Sequence, residues 1–266
     1  MKNLTKVFST VKEESPILYT IVLIHLFLAI GCAAGLFIDE RTVMGINVWI
    51  KPLKFAISDG IYIMTVGYLI GFYPYTKRKT NIINNIVAWT LLIETVIVLF
   101  QASRGIQSHY NKSSIFDALL FMSMGILIGI NVIVMALFIF DTIRLKLKTT
   151  KPIQWAILLG WSVVFLGSWV GGQMIGQMAH NVGVADGGAG LPLVNWSTVG
   201  GDLRVAHFFG LHGIQLIPLF AVWVSNKWNI SNRIQVLAVT IFGLLYMAWI
   251  GFTFYQASLG IPLLKL

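Results

Sequence analysis

The sequence predicts an all-α integral membrane protein, with seven transmembrane helices in a parallel 3+1+3 internal-repeat arrangement, the N-terminus cytoplasmic and the C-terminus outside. Three observations carry this. Of the 266 residues, 57% are apolar and only 11% charged, a balance that calls for a bilayer as solvent. Seven apolar stretches are long enough to cross one as helices. Short stretches also recur in a fixed order. Lys54-Phe55-Ala56-Ile57-Ser58-Asp59-Gly60-Ile61 returns as Arg204-Val205-Ala206-His207-Phe208-Phe209-Gly210-Leu211, and Phe100-Gln101-Ala102-Ser103-Arg104-Gly105-Ile106 returns as Tyr255-Gln256-Ala257-Ser258-Leu259-Gly260-Ile261. A weaker pair is Gly31-x-x-x-Gly35 against Gly167-x-x-x-Gly171. Ordered recurrence of this kind marks a duplicated unit.

The spans cover 17–38, 53–73, 82–103, 115–140, 153–177, 204–225 and 234–256. The first follows a basic start and is about 20 residues long, which suits a signal-anchor helix rather than a cleaved leader. Cys32 is the only cysteine, so neither an intrachain disulfide nor a thiolate metal cluster can form. Residues 17–112 make the first three-helix repeat, 113–150 the linker with the fourth helix, and 151–266 the second repeat. Four helices separate the copies, so each helix and its counterpart cross in the same direction. In architecture alone this plan resembles sugar-efflux-type and nicotinamide-riboside-type transporters, whose signature residues are absent here.

On the fifth span, Ser168-x-x-x-Gly172-x-x-x-Gly176 and Gly167-x-x-x-Gly171 offer small faces for close helix approach. Trp49, Trp196 and Trp228 fall near span ends, as interfacial belt residues do. The connection 178–203 is the longest. Its glycine clusters permit tight turns, while Trp196, Leu191 and Val194 argue for a folded cap.

Basic residues set the orientation. Twelve of the 19 Lys and Arg residues fall in segments that are cytoplasmic if the N-terminus is, which favours N-in and C-out. The net charge of +9 is then anchoring at an anionic inner surface, and the short inner loops give no nucleic-acid partner. The expected setting is a bacterial cytoplasmic membrane, with the working site facing its non-cytoplasmic side and the bilayer as principal partner.

Ionisable residues within spans are costly and mark functional sites. Asp59 and Lys54 lie on the second span, Glu94, Gln101 and Arg104 on the third, and Arg204, His207, His212 and Gln215 on the sixth. At about 100° per residue, Arg204, His207, His212 and Gln215 occupy one wedge roughly 140° wide. Gln173, Gln177 and His180 share a face of the fifth span. Polar stripes in lipid must find internal partners. Ion pairs Glu94–Arg104 or Asp59–Lys54 that only fix packing are the bland alternative. His25 is expected as a hydrogen-bonded core histidine. His109, His180, His207 and His212 gather near the outer side.

Three functions follow. In the leading one, a membrane-embedded enzyme or cofactor-binding protein, His180, His207 and His212 hold a metal ion or haem, with Asp202 or Glu94 adding oxygen. Glu94, His212 and Asp59 then act as acid–base groups, and Lys54, Arg104, Arg204, Gln101 and Gln215 bind a small or lipid-soluble, anionic substrate. The alternative is a small-solute transporter, with Pro218 kinking the sixth span. The third is a membrane sensor or assembly factor. A run from Ser103 to His109 resembles a lipid-phosphatase motif superficially but lacks the required spacing and companion motifs.

Overall fold

The computed structural model describes residues 2–228 and 230–265. Nine α-helices make up most of the described chain, with two short strand pairs. Among the described residues six helices are long and apolar enough to cross a membrane, or seven if a pair of helices bent at a short break is counted as one span. The expected spans are all present, with ends shifted by a few residues. The chain divides into two compact units, Met1–Val134 and Met135–Leu266.

In the first unit α1 (Lys2–Glu14) precedes α2 (Pro16–Ile38). A helix over the basic N-terminal segment was not expected. Pro16 suits the first turn of α2, where its missing N–H costs nothing. The adjacent Ser15 hydroxyl donates to Gly67 O at 3.3 Å and accepts from Asn84 Nδ2 at 2.9 Å. A β-hairpin, β1 (Thr42–Val43) with β2 (Ile46–Asn47), turns the chain into α3 (Ile50–Leu69), which ends in a 3-10 turn. Then come α4 (Lys77–Ser103) and the start of α5 (Ile115–Arg144). Helices α2, α3 and α4 each pack on the other two. Trp49 is more than a belt residue: its ring fills the space beside Gly35, where a Cβ would lie 2.7 Å away, and its Nε1 donates to Asp39 at 2.9 Å.

In the second unit the end of α5 stacks Phe138 on Trp161 of α6 (Lys151–Gln177). The chain continues through β3 (Asn181–Val182) and β4 (Gly201–Asp202), α7 (Leu203–Leu211), α8 (Gly213–Lys227) and α9 (Asn232–Ser258). Helix α6 packs against α7, α8 and α9. Its close face is Gly160, Gly167 and Gly171: a Cβ on Gly167 would lie 2.7 Å from Gly210 Cα, and one on Gly171 2.9 Å from His207 Cε1. Gly172 and Gly176, expected to share that packing role, instead have open space where a Cβ would go.

The segment between β3 and β4 is folded. The strands pair antiparallel, Gly190 bridges to Ser197, and Leu191 N–H donates to Trp196 O. The outward helix faces carry Phe27, Phe37, Ile133 and Leu245, all mostly exposed. Only 28% of the apolar window of α2 and 22% of that of α9 is buried inside the protein. Apolar surface left uncovered on this scale is consistent with an integral membrane protein.

Candidate functional site

The first unit holds a buried polar cluster where α2, α3 and α4 meet. Asp59 of α3 accepts a 2.8 Å hydrogen bond from the Thr95 hydroxyl of α4. His25 Nε2 of α2 lies 3.2 Å from that same oxygen, and its Nδ1 lies 2.9 Å from Ile21 O. His25 and Thr95 are fully buried. A helical turn places each of them: Gly60 packs over His25, where a Cβ would lie 3.4 Å from His25 Cβ. Glu94, also buried, feels the charges of both Asp59 and Lys51. Lys51 Nζ lies 3.2 Å from His109 Nδ1, and the His109 ring sits among Phe55, Tyr110 and Phe121. Lys54 lies on α3 between Lys51 and Asp59. His25 is thus the hydrogen-bonded core histidine expected, but it also joins the acid cluster.

Gln101 and Arg104 form a separate structure at the end of α4. Arg104 donates to Asp117 at 2.6 Å and to Gln101 Oε1 at 2.7 Å, and Gln101 Nε2 donates to Asp117 at 3.0 Å. Asp117 and Ser114 exchange hydrogen bonds in the manner of a capping box at the start of α5. The Arg104 ion pair is thus with Asp117, not with Glu94 as the bland alternative had it. A Ser-x-x-Asp ahead of an apolar run was the sequence signal that could have located Asp117.

The second unit gathers its polar groups at the break between α7 and α8. The two helices meet at 47°. His212, with ψ near zero, is the joint, between Gly210 and Gly213. The Tyr246 hydroxyl of α9 donates to Phe209 O at 2.7 Å beside the break. His212 and Gln215 hydrogen-bond through their side chains, and the His212 ring packs edge-on against Phe208. His207 Nδ1 lies 2.8 Å from Gly167 O. A carbonyl only accepts, so Nδ1 carries the hydrogen, and in the neutral imidazole Nε2 keeps its lone pair.

The chain matches no known protein family, no curated protein and no solved structure. Its function is read from these two clusters.

The remaining expected site residues hold the 178–203 segment together. Asp202 caps α7 through Arg204 N–H, accepts from Ser197 N–H, and is gripped by the Arg204 guanidinium at 2.6 Å. Arg204 also donates to Asn195 O. His180 Nδ1 lies 2.6 Å from Asp186, which further accepts from the His180 and Asn181 N–H groups. Burial opposes the Asp186 charge, but these hydrogen bonds outweigh it and hold the carboxyl at about 2. Asp186, passed over as a loop residue, is a structural anchor. His180, His207 and His212 do not converge as expected: among the described residues no three His, Cys, Asp or Glu side chains are placed to hold a metal ion.

Proposed function

We propose that this chain is a small-solute transporter built on the 3+1+3 plan, seated N-in and C-out in a bacterial cytoplasmic membrane. The observation that carries this is the break at His212. It falls nine residues into a span of 203–227, near mid-depth. Discontinuous helices at the middle of the bilayer are where secondary transporters bind their cargo, because the freed backbone ends and the helix dipole face the solute. Here the N-terminus of α8 sits beside His212 and Gln215, a setting suited to a small polar or anionic solute. Pro218 inside α8 removes one backbone donor and loosens the same segment.

The duplicated plan has local support. In each unit three long helices or helix pairs pack mutually, and Ala56 and Ala206, at matching places in the repeated stretch, are both buried. Uptake into proteoliposomes across a panel of amino acids, sugars, nucleosides and small organic anions tests the proposal. The expected result is flux of one class that is lost in Gln215→Leu. Absence of flux for every class, or flux indifferent to that change, overturns it.

A second reading, a haem- or metal-dependent enzyme or cofactor-binding protein, keeps one supporting observation. His207 Nε2 is held as a lone-pair donor by the Nδ1 contact to Gly167 O, the arrangement that orients ligating imidazoles. A Soret band or stoichiometric metal in the purified protein that vanishes in His207→Ala favours this reading.

A further inference from the structure

The Asp59–Thr95–His25 chain constrains its own protons. Ile21 O can only accept, so His25 Nδ1 must donate to it across 2.9 Å. The one remaining ring nitrogen, Nε2, faces the Thr95 hydroxyl, which also faces Asp59 Oδ2. Thr95 has a single hydrogen to give. Two arrangements satisfy every atom. In one, Asp59 is a carboxylate accepting from Thr95, and Thr95 accepts from an Nε2–H imidazolium. In the other, a carboxylic acid donates to Thr95, and Thr95 donates to neutral Nε2. With one proton fewer, two acceptors compete for one hydrogen. With one more, both ends donate to the two lone pairs of the hydroxyl, whose own hydrogen is then left without an acceptor in the chain. Buried groups left unsatisfied are costly, so the chain favours one mobile proton.

The two ends lie at nearly the same depth, where Gly60 packs beside His25. His25 is the tenth residue of α2 and Asp59 the tenth of α3, each about 14 Å from the start of its helix. The helices are consecutive and joined by a tight hairpin, so these starts are at opposite ends of the unit. The chain therefore sits near the middle of both helices.

We propose that Asp59, Thr95 and His25 pass a proton between them and that the proton is the ion coupled to transport. The transfer breaks Asp59 Oδ2–H and forms Thr95 O–H, while the original Thr95 O–H breaks and His25 Nε2–H forms. No net charge moves out of the cluster and no other reactant is consumed. Tyr62 from α3 and Glu94 from α4 face Asp59, with Lys51 acting on Glu94. From α3, Gly60 packs against His25 and adds no charge. The coupling role rests on the transporter reading; the proton transfer does not.

The test uses the full-length protein in lipid nanodiscs. Infrared spectroscopy follows the protonated Asp59 carboxyl, assigned by its loss in Asp59→Asn. Nitrogen-15 NMR follows His25 Nε2, assigned by its loss in His25→Gln. In the wild type the two signals are expected to change together at one pH midpoint, as they are in Thr95→Ser. In Thr95→Val they are expected to part. Independent midpoints in the wild type, a common midpoint that survives Thr95→Val, or no change in either signal wherever the protein stays folded overturns the transfer. If Thr95→Val does not fold, the wild type and Thr95→Ser decide alone. Uptake that ignores an imposed pH gradient removes the coupling role and leaves transport standing. Linked signals in a protein that takes up no solute retain the transfer and sink the transporter.

Discussion

Gly167 and Gly210 meet backbone against backbone, and this contact sets how closely α6 approaches the broken span. Any side chain there forces the helices apart. Gly210→Ala is expected to destabilise the protein by about 1–3 kcal/mol, whereas Gly172→Ala, with open space beside it, leaves stability unchanged; thermal unfolding in detergent compares them. A single carboxylate anchors the start of the 178–203 segment in a similar way. Asp186 has its pKa held at about 2, below the usual 3.8. A depressed acid contributes stability that is complete above its unfolded value and lost as pH falls toward the folded one. Hydrogen exchange at the His180 and Asn181 amides is therefore expected to accelerate, beyond the ordinary pH effect on exchange, as pH drops from about 4 to 2. Asp186→Asn should abolish that extra dependence.

The repeated Gln-Ala-Ser-x-Gly-Ile stretch acquires a local meaning at the scale of the element. Both copies end their helices in the same way. Ile106 N–H donates to Gln101 O and Gly105 N–H to Ala102 O; Ile261 N–H donates to Gln256 O and Gly260 N–H to Ala257 O. Gly105 and Gly260 take φ of 71° and 74°. This is a Schellman cap, and its left-handed residue favours glycine. Gly105→Ala and Gly260→Ala should each cost about 1 kcal/mol, and nearly equal losses of unfolding free energy would show the two caps to be equivalent. The resemblance between the copies is thus partly a shared way of stopping a helix, and it supports duplication only together with the buried Ala56 and Ala206. The α7–α8 break is the other element with a consequence. Pro218→Ala restores a backbone donor to α8, so solute uptake is expected to slow while stability holds or rises. Unchanged uptake would show that Pro218 plays no part in the proposed transport.

For the whole molecule, the long apolar helices are consistent with an integral membrane protein, and sidedness is the property to measure. In a Cys32→Ser background, Arg78→Cys and Gly188→Cys place thiols at the start of α4 and in the 178–203 segment. Arg78 is exposed and Gly188 has open space for a side chain. A membrane-impermeant maleimide added to intact cells is expected to label only the Gly188→Cys protein. Labelling of the Arg78→Cys protein instead would invert the orientation.

Hydropathy acts over a few residues, and so the sequence by itself determined the apolar stretches and their approximate ends. It also located most of the ionisable groups that matter, because charge inside an apolar run is visible without a fold. Pairing between helices was beyond it. Helical periodicity fixes how Glu94, Gln101 and Arg104 are spread around α4, but not how α4 is rotated or how deep its neighbours lie. Tertiary structure alone decided that Arg104 turns to Asp117, that His207 turns to Gly167 O, and that His180 is taken by Asp186. It also chose Thr95, an unremarkable hydroxyl in sequence, as the link between Asp59 and His25. A hydroxyl becomes a bridge only when two other helices bring an acid and an imidazole to the same oxygen.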